Sequence, residues 1–214
     1  IMDKATGMPL EDADGNPVTA SVEFVAEGSE GTVEVAFEFD ASALEEGAAL
    51  ARTENCDFVV AVGGGSVMAA AKVMAMYAPQ PGALWAYVPG ATGKMLPLVN
   101  SPLPWVAVTT TAGTGSEVDQ WGVVTNPDTN EKIGCGGQDS LFAKIAVVDP
   151  ELMRTVPSKY TAYQGFDALF HSVEGYIANA RSPMADMVQR ADIEQVGKYL
   201  ARAVAAGTDM EARE

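Results

Sequence analysis

The chain has 214 residues, of which 29 are acidic and 13 basic, giving a formal net charge of −16. Nucleic acids and anionic membrane surfaces are bound mainly through Lys and Arg, so this charge argues against both as partners. A hydrophobic content of 48% with 20% charged residues indicates a folded globular chain. No stretch reaches the roughly 18 apolar residues of a membrane helix, and two isolated cysteines favour a reducing, cytoplasmic location.

The first 44 residues differ from the rest in charge and in pattern. They hold ten acidic residues and one basic residue, and a turn-forming cluster at 12–17 precedes alternating apolar and polar residues. Such alternation is typical of β-strands, which predicts an acidic β-hairpin with strands at about 18–26 and 31–39. We expect residues 1–44 to be a segment of separate origin.

Helix and strand patterns alternate from residue 45 onward. After a helical stretch that includes Leu44 and Ala48, the predicted elements are a strand at 58–62, a helix at 67–77, a strand at 105–109, a hairpin-like stretch at 121–134 and a strand at 144–148. This order is typical of the βαβ units of a parallel sheet, so the predicted class is α/β. Beyond residue 158 only helices are predicted, at about 159–178 and 183–204.

A glycine-rich turn joins the apolar strand at 58–62 to an Ala-rich helix. Glycines let the backbone approach a bulky anion, Ser66 can cap the helix, and the free N–H groups and dipole of its first turn attract phosphate. The sequence therefore predicts a diphosphate-binding site at Gly64, Gly65 and Ser66. The alternative is a tight strand-to-helix turn that binds nothing.

A second turn, rich in Thr and Gly at residues 109–117, follows the strand at 105–109. Its hydroxyl and backbone donors would gather at the carboxyl end of a strand, where open α/β sheets bind their ligands. A polar loop with helix-capping Thr and Ser is an equally good explanation of this turn by itself.

Asp167 and His171 are four residues apart on a predicted helix, so their side chains lie on one face. A carboxylate and an imidazole in this arrangement can bind one divalent cation, and Glu174 could orient the imidazole. From spacing alone an ordinary helix ion pair is the commoner explanation. The aromatic residues of this helix could line a substrate-facing apolar cleft, but their helical spacing is more typical of a core, so they are predicted to be buried: Tyr163, Phe166, Phe170 and Tyr176.

Four motifs follow one another along the chain: Asp57-Phe-Val-Val-Ala-Val-Gly-Gly-Gly-Ser66, Thr110-Thr-Ala-Gly-Thr-Gly-Ser-Glu117, Asp149-Pro-Glu-Leu152, and Gly165-Phe-Asp-Ala-Leu-Phe-His171 with Glu174-Gly-Tyr. Together and in this order they resemble the motifs of the iron-containing (group III) alcohol dehydrogenase family. The resemblance covers about residues 45–214. It implies a partial Rossmann-like dinucleotide-binding domain at 45–156 and the start of an all-helical metal-binding domain at 157–214.

The resemblance also implies ligands and residue roles. NAD or NADP and a divalent metal, Fe(II) or alternatively Zn(II), would lie in the cleft between the two domains, where hydride passes between a small alcohol or aldehyde and the nicotinamide. Asp167 and His171 match the first two metal ligands of the family. The positions matching its cofactor contacts are Gly64, Gly65, Ser66, Thr110, Thr111, Thr114, Lys132 and Leu152. A homo-oligomer is compatible with this resemblance.

Three departures from the family pattern bear on activity: a single His, residues 1–44 in place of the family's first βαβ units, and Ala69 where the family usually carries Asp. The family uses one Asp and three His at its metal, whereas this chain has a single His. We therefore expect the other two ligands downstream of residue 214, weak metal binding and little turnover. Residues 1–44 resemble instead the VaFE-type repeat domains of bacterial surface-anchored proteins. The alternative to a dehydrogenase is a catalytically inert nucleotide-binding or structural fragment, and substrates such as glycerol or lactaldehyde also remain open.

Overall fold

The computed structural model describes the chain at residues 21–25, 40–90 and 92–214, and the side chains of the latter two ranges. Of the expected acidic hairpin, only the first strand, β1 (Ser21–Val25), is described, while the second, at 31–39, lies outside the described residues. β1 pairs in antiparallel fashion with β2 (Phe58–Gly63), with Ser21 opposite Val62. Residues 21–25 of the N-terminal segment therefore form an edge strand of the main sheet, and its last residues belong to the helix that follows.

The predicted elements between residues 45 and 204 are all present, with ends within a few residues of the expected positions. The five helices of the described chain are α1 (Ala41–Thr53), α2 (Gly65–Tyr77), α3 (Ser158–Ile177), α4 (Pro183–Ala205) and α5 (Met210–Arg213). The remaining strands are β3 (Trp105–Thr109), β4 (Trp121–Asn126), β5 (Glu131–Gly136) and β6 (Ile145–Val148). The predicted α/β class is thereby confirmed.

Helix α1 begins where its sequence offers a cap. The side chain of Asp40 accepts a hydrogen bond of 2.9 Å from the backbone N–H of Ala43, which satisfies one of the free donors of the first turn. Its buried residues are spaced three and four apart, as expected of a helix with one apolar face: Leu44, Gly47, Ala48 and Ala51.

The main sheet has the order β1-β2-β3-β6, and β2, β3 and β6 form its parallel part, while β4 and β5 form a separate antiparallel pair. Helix α2 is buried at nearly every position from Val67 to Tyr77 and packs against β2 and β4. Trp105, at the start of β3, is fully buried, and its indole N–H donates a 2.8 Å hydrogen bond to the carbonyl of Leu141. The core of this part of the chain therefore lies around α2.

The chain divides into two compact units. The first contains the residues up to Val108 together with Ser116–Val147, and the second combines Thr109–Gly115 with Val148–Glu214. The Thr-rich turn thus belongs to the same unit as the helices α3 to α5. The predicted limits at residues 44 and 156 concern origin and family resemblance, and they stay predictions.

The second unit is built around the packing of α3 against α4. Ser182 caps α4 by accepting a hydrogen bond of 3.2 Å from the N–H of Ala185. The apolar residues predicted for the core of α3 are instead largely exposed, with Phe170 at 65% and Tyr163 at 58%. None of the described helices combines the length and the hydropathy needed to cross a membrane.

Candidate functional site

The glycine-rich turn lies between β2 and α2, in the first unit. Gly64 is the N-cap of α2, with an extended backbone, and Gly65 is its first residue. A Cβ atom at Gly63 would lie 2.6 Å from Cγ2 of Val67, so the chain passes the helix at a distance that only glycine permits.

The expectation that Ser66 caps α2 is wrong. Ser66 lies inside the first turn, one residue after the helix begins, and no side chain of the described residues caps this end. The first turn also carries no acidic residue. Its N–H groups therefore stay available to an external acceptor, and the positive end of the helix dipole is not neutralised.

Lys132 lies in the first unit as well. It is an exposed residue of β5 and pairs with Thr125 of β4 across the two-stranded ladder. Helix α2 packs against both of these strands. The predicted diphosphate site at Gly64 and the predicted ribose contact at Lys132 thus lie on elements of one compact unit.

The Thr-rich turn contains a buried polar atom that has no hydrogen-bond partner in the described part of the chain. Thr109 ends β3, is 1% exposed, and donates from Oγ1 to the carbonyl of Thr111 at 2.9 Å. The Oγ1 atom of Thr111 is itself buried and has no hydrogen-bond partner among the described residues. An unpaired buried hydroxyl is unfavourable, so a polar ligand atom at this position would stabilise the turn. Thr110 and Thr114 are both partly exposed.

Gly113 is the residue that brings the Thr-rich turn against α3. Its φ is +95°, a conformation that favours glycine, and a Cβ at this position would lie 2.4 Å from the carbonyl oxygen of Gln164. The N–H of Ala112 donates a 3.2 Å hydrogen bond to Oε1 of the same Gln164. The sequence predicted this turn but not its contact with α3, for which the only signal was the Gly-Thr-Gly pattern at residues 113–115.

Asp167 and His171 lie together on α3, as predicted. The distance from Nε2 of His171 to Oδ1 of Asp167 is 4.0 Å, and both side chains are about half exposed. Nδ1 of His171 lies 2.9 Å from the carbonyl oxygen of Gly113. Because a carbonyl can only accept, Nδ1 carries the proton in this contact, and in the neutral ring Nε2 keeps its lone pair for a metal ion.

The geometry of this pair fits two of the ligands of one divalent cation. Bonds from such an ion to imidazole nitrogen or carboxylate oxygen are about 2.0 to 2.2 Å long. The 4.0 Å separation of His171 Nε2 and Asp167 Oδ1 is within the span of two such bonds. No group of three or more His, Cys, Asp or Glu residues suited to a metal occurs in the described part of the chain. The pair therefore offers an incomplete ligand set.

Leu152 and Glu174, which the sequence analysis also names, lie in the second unit as well. Leu152 lies in the short 3₁₀ turn Pro150–Met153, in the second unit, and is 41% exposed. The side chain of Asp149 caps that turn, accepting a 3.0 Å hydrogen bond from the N–H of Glu151. Glu174, considered as a partner for the imidazole, is exposed, and the observed partner of His171 is a backbone carbonyl instead.

Two family models match the chain, one after the other. That of iron-containing alcohol dehydrogenases matches residues 16–150, more than half of the chain, and that of the C-terminal part of Fe-containing alcohol dehydrogenases matches residues 161–214. The first match begins ahead of residue 44, so it includes part of the acidic N-terminal segment.

Curated proteins that are similar in sequence are also alcohol or related dehydrogenases by name. A choline dehydrogenase of Bacillus subtilis (strain 168) is 42% identical over 170 residues, which is 79% of this chain and 42% of that protein. A 1,3-propanediol dehydrogenase of Klebsiella pneumoniae is 38% identical, covering 80% of this chain and 43% of its own length. The chain thus spans about two fifths of the length of these curated relatives.

Solved structures give the same result. An archaeal halo-thermophilic alcohol dehydrogenase from a Red Sea brine pool superposes with a TM-score of 0.78 at 37% identity, over 84% of this chain and 46% of that one. Sulfoacetaldehyde reductase from Bifidobacterium kashiwanohense, solved in complex with NAD+, gives a TM-score of 0.76 at 36% identity, over 81% of this chain and 45% of that one.

Proposed function

Because the chain belongs to the iron-containing alcohol dehydrogenase family, we propose that it takes part in hydride transfer between a primary alcohol or aldehyde and NAD or NADP at a divalent metal. The observation that carries this proposal is the contact of His171 with Gly113. It joins the Thr-rich turn, proposed to bind the nucleotide, to the pair proposed to bind the metal. Relatives named after choline, methanol and 1,3-propanediol differ in substrate, so the proposal stops at the substrate class.

The glycine-rich turn binds the diphosphate of the cofactor in this proposal. Gly64, Gly65 and Ser66 present uncapped backbone N–H groups at the positive end of α2, which suits a doubly charged anion. Lys132 is assigned to a ribose hydroxyl, since an exposed ammonium can donate to it.

The Thr-rich turn and the short turn at Leu152 supply the remaining nucleotide contacts. Thr110, Thr111 and Thr114 offer hydroxyl donors, and the unpaired Oγ1 of Thr111 supports the presence of a polar ligand atom. The half-exposed side chain of Leu152 offers an apolar surface that suits a planar ring.

Asp167 and His171 would hold the divalent cation, Fe(II) by the family name or alternatively Zn(II). Such a cation acts as a Lewis acid on the substrate oxygen. The protein contributes the orientation of the ligands: Gly113 fixes the imidazole ring and its tautomer from the Nδ1 side, leaving Nε2 for the metal. Asp167 supplies the negative charge that favours a cation at this face of α3.

A second candidate function is nucleotide binding without turnover. It is favoured by the ligand count, because Asp167 and His171 are joined by no third potential metal ligand among the described residues. Two protein ligands leave most of a metal ion's coordination to water, so affinity is low. In this alternative the two glycine- and threonine-rich turns bind NAD or NADP and no hydride is transferred.

Two measurements distinguish these functions. Calorimetric titration of the full chain with NAD+ and with NADP+ tests the nucleotide site, and absence of heat for both would refute either function. Incubation with Fe²⁺ or Zn²⁺, NAD+ and a panel of primary alcohols then tests turnover by NADH absorbance. His171→Ala is the matched control: signal above this variant supports the dehydrogenase, whereas binding with equal, negligible signal supports the binding module.

The location and assembly of the chain follow the same family assignment. We propose a cytoplasmic protein, supported by Cys56 and Cys135, which are buried free thiols of the kind kept reduced there. A homo-oligomer is compatible with the family, and nucleic acid or membrane surfaces are disfavoured as partners by the net charge of −16.

A further inference from the structure

Helix α3 presents its largest apolar side chains to solvent. They recur at spacings of three and four residues, which places them along one face of the helix, and they are between 37% and 71% exposed: Tyr163, Phe166, Phe170, Val173 and Ile177. This is the spacing of a coiled-coil seam, by which one helix packs against another. These residues are referred to as the α3 stripe.

The other side of α3 packs against α4 through small residues. A Cβ atom at Gly165 would collide with Leu200, and one at Gly175 would collide with Gln189, so α4 lies directly on the glycines of α3. Packing within the second unit therefore uses the small residues of the helix and leaves the α3 stripe exposed. Apolar surface that is exposed in one contiguous patch is typical of an interaction site.

The pair proposed to bind the metal runs along one border of the α3 stripe. Asp167 follows Phe166 and His171 follows Phe170, so each proposed ligand lies one position round the helix from a residue of the stripe. Both side chains are about half exposed, and Nδ1 of His171 is occupied by the carbonyl of Gly113, which leaves Nε2 for a metal. The incomplete ligand set is thus accessible to ligands from outside the chain.

We propose that a second copy of the chain completes this metal site. Two copies pack their α3 stripes together about a two-fold axis that crosses α3 between Asp167 and His171. An isologous contact of this kind brings the residues next to the axis against their own counterparts. Each copy supplies one carboxylate and one imidazole to a shared divalent cation, which together are the four protein ligands of a tetrahedral zinc site.

The inference rests on the part of the proposed function that assigns Asp167 and His171 to a metal ion. It goes beyond that function in the source of the missing ligands and in the oligomeric state. A second copy is the partner that the site favours, because it carries the same carboxylate and imidazole beside the same apolar surface.

The area of the α3 stripe fits a dimer that depends on the metal. A whole aromatic side chain presents about 150 to 250 Å², so the exposed parts of the stripe amount to on the order of 600 Å² in each copy. Two copies would bury about 1,200 Å² together, which is the lower limit of a specific stable interface. The apolar contact therefore needs the additional bonds to the cation.

Charge gives a second reason for the dependence on a cation. Asp167 of each copy would lie next to the two-fold axis, and each chain has a net charge of −16. Like charges repel, so the two copies are kept apart when no cation is bound. A divalent cation between the two carboxylates replaces this repulsion by attraction.

Size-exclusion chromatography with light scattering and calorimetric titration with Zn²⁺ test the shared site in the full chain. With excess EDTA we expect a monomer. On addition of Zn²⁺ the mass should double, and calorimetry should give one Zn²⁺ for every two chains. A monomer that binds one Zn²⁺ per chain would overturn the inference.

Two variants separate the metal from the apolar contact. His171→Ala removes one ligand from each copy, so its mass should remain that of a monomer when Zn²⁺ is added. Phe170→Ser keeps both ligands and removes the largest exposed aromatic side chain next to the axis, and we expect the Kd of its Zn²⁺-bound dimer to rise at least about tenfold. A Phe170→Ser dimer as tight as that of the wild type would contradict packing through the α3 stripe.

Asp167→Ala and Asp192→Ala are a matched pair of carboxylate deletions. Asp192 is an exposed residue of α4 that has no part in the proposed site. We expect Asp167→Ala to stay monomeric with Zn²⁺ and Asp192→Ala to dimerise like the wild type. Equal loss of the dimer in both variants would show that Zn²⁺ joins chains through surface carboxylates in general, and would contradict a specific site.

Failure of this inference and failure of the proposed function give different results. A wild-type chain that binds Zn²⁺ through His171 and remains a monomer contradicts only the sharing of the site. Absence of Zn²⁺ binding contradicts the metal assignment of the proposed function, and the inference with it. The titration with NAD+ tests the nucleotide site separately, because the α3 stripe has no part in it.

Discussion

The Nδ1 atom of His171 lies 2.9 Å from the carbonyl oxygen of Gly113, a residue 58 positions earlier in the chain. This contact orients the imidazole from the side opposite to Asp167, whose Oδ1 is 4.0 Å from Nε2. Backbone carbonyls commonly fix the tautomer of metal-binding histidines in this manner. The position of Gly113 should therefore control the affinity of the pair for a metal ion.

Substituting Gly113 by Ala tests this relationship. The new Cβ would lie 2.4 Å from the carbonyl oxygen of Gln164, at a φ of +95°, so the turn must move away from α3. Strain and a backbone clash of this kind cost about 2 kcal/mol or more of unfolding free energy. We expect calorimetric titration with Zn²⁺ to show at least about tenfold weaker binding, because the imidazole loses its orienting partner.

Gly115→Ala is the matched control for Gly113→Ala. Gly115 also has a positive φ, +62°, but no described residue comes within 4 Å of the position of its Cβ. We expect a loss of about 1 kcal/mol from the left-handed conformation alone, and an unchanged Zn²⁺ affinity. Equal weakening of Zn²⁺ binding in both variants would contradict the role given to Gly113.

Ser66→Asp is expected to change stability and nucleotide binding in opposite directions. Ser66 is exposed in the first turn of α2, which has no acidic residue and is capped by no side chain of the residues that the structure describes. A carboxylate at this end interacts favourably with the helix dipole, by about 0.3 to 1 kcal/mol. The same charge repels a diphosphate, so thermal unfolding should shift upward while the Kd for NAD+ rises more than about tenfold.

Ser66→Asn separates charge from shape in this experiment. Asn has nearly the same size as Asp and carries no charge, so the repulsion of the diphosphate should be absent. If Asn weakens NAD+ binding as much as Asp does, the effect is steric and the glycine-rich turn is not shown to bind an anion.

The periodicity of apolar residues predicted most helices and strands of the described fold, because in these segments the local sequence pattern agrees with the final structure. The apolar run at 58–62 became β2, and the helical stretch at 159–178 became α3 with nearly the same ends. The pairing of β1 with β2 was not predictable in the same way, because it joins segments more than thirty residues apart. Short-range alternation identifies a strand but not its partner.

The site was predicted only where its residues are close in sequence. Asp167 and His171 share one helix, so their spacing was sufficient to bring them together. The contact with Gly113 depends on how a distant turn packs, and no local pattern contains it. Tyr163 and Phe170 were predicted to be buried because helical spacing of aromatic residues is typical of a core, yet exposure depends on which elements cover the helix.

The same Gly-to-Ala change should have opposite effects at two positions of the α3–α4 pair. Gly197 lies on the exposed side of α4, and its Cβ position is more than 4 Å from every described neighbour, so Ala should stabilise the chain by about 0.5 to 1 kcal/mol through helix propensity. At Gly165 of α3 the Cβ would lie 2.1 Å from Cδ1 of Leu200. Overpacking there should destabilise by about 1 to 3 kcal/mol.

Urea unfolding of both glycine variants measures these two effects. Each serves as the control of the other, because the chemical change is identical and both positions lie in the second unit. Stabilisation by Gly165→Ala would show that α3 and α4 are not packed closely at Leu200.

Burial of Cys135 should make stability fall at alkaline pH. Desolvation raises the pKa of this thiol from 9.0 to about 12 in the folded chain. Between these two values the unfolded chain has released the proton and the folded chain has kept it, so unfolding is favoured as the pH rises. The contribution of the protonated Cys135 thiol to the free energy of unfolding is fully present below pH 9.0. Above that pH it declines by at most about 1.4 kcal/mol per pH unit, and it is lost once the pH passes about 12.

The variant Cys135→Ala isolates this contribution from other alkaline titrations. Its side chain is 1% exposed, so the variant should be less stable than wild type at neutral pH because of lost packing. Urea unfolding at about pH 8 and about pH 10 should show the difference between the two proteins shrinking by about 1 kcal/mol. Burial also raises the pKa of the Cys56 thiol, so the variant Cys56→Ala gives a comparison in which the stability difference should change in the same direction. A difference that is the same at both pH values would mean that the Cys135 thiol ionises as readily in the folded chain as in the unfolded one.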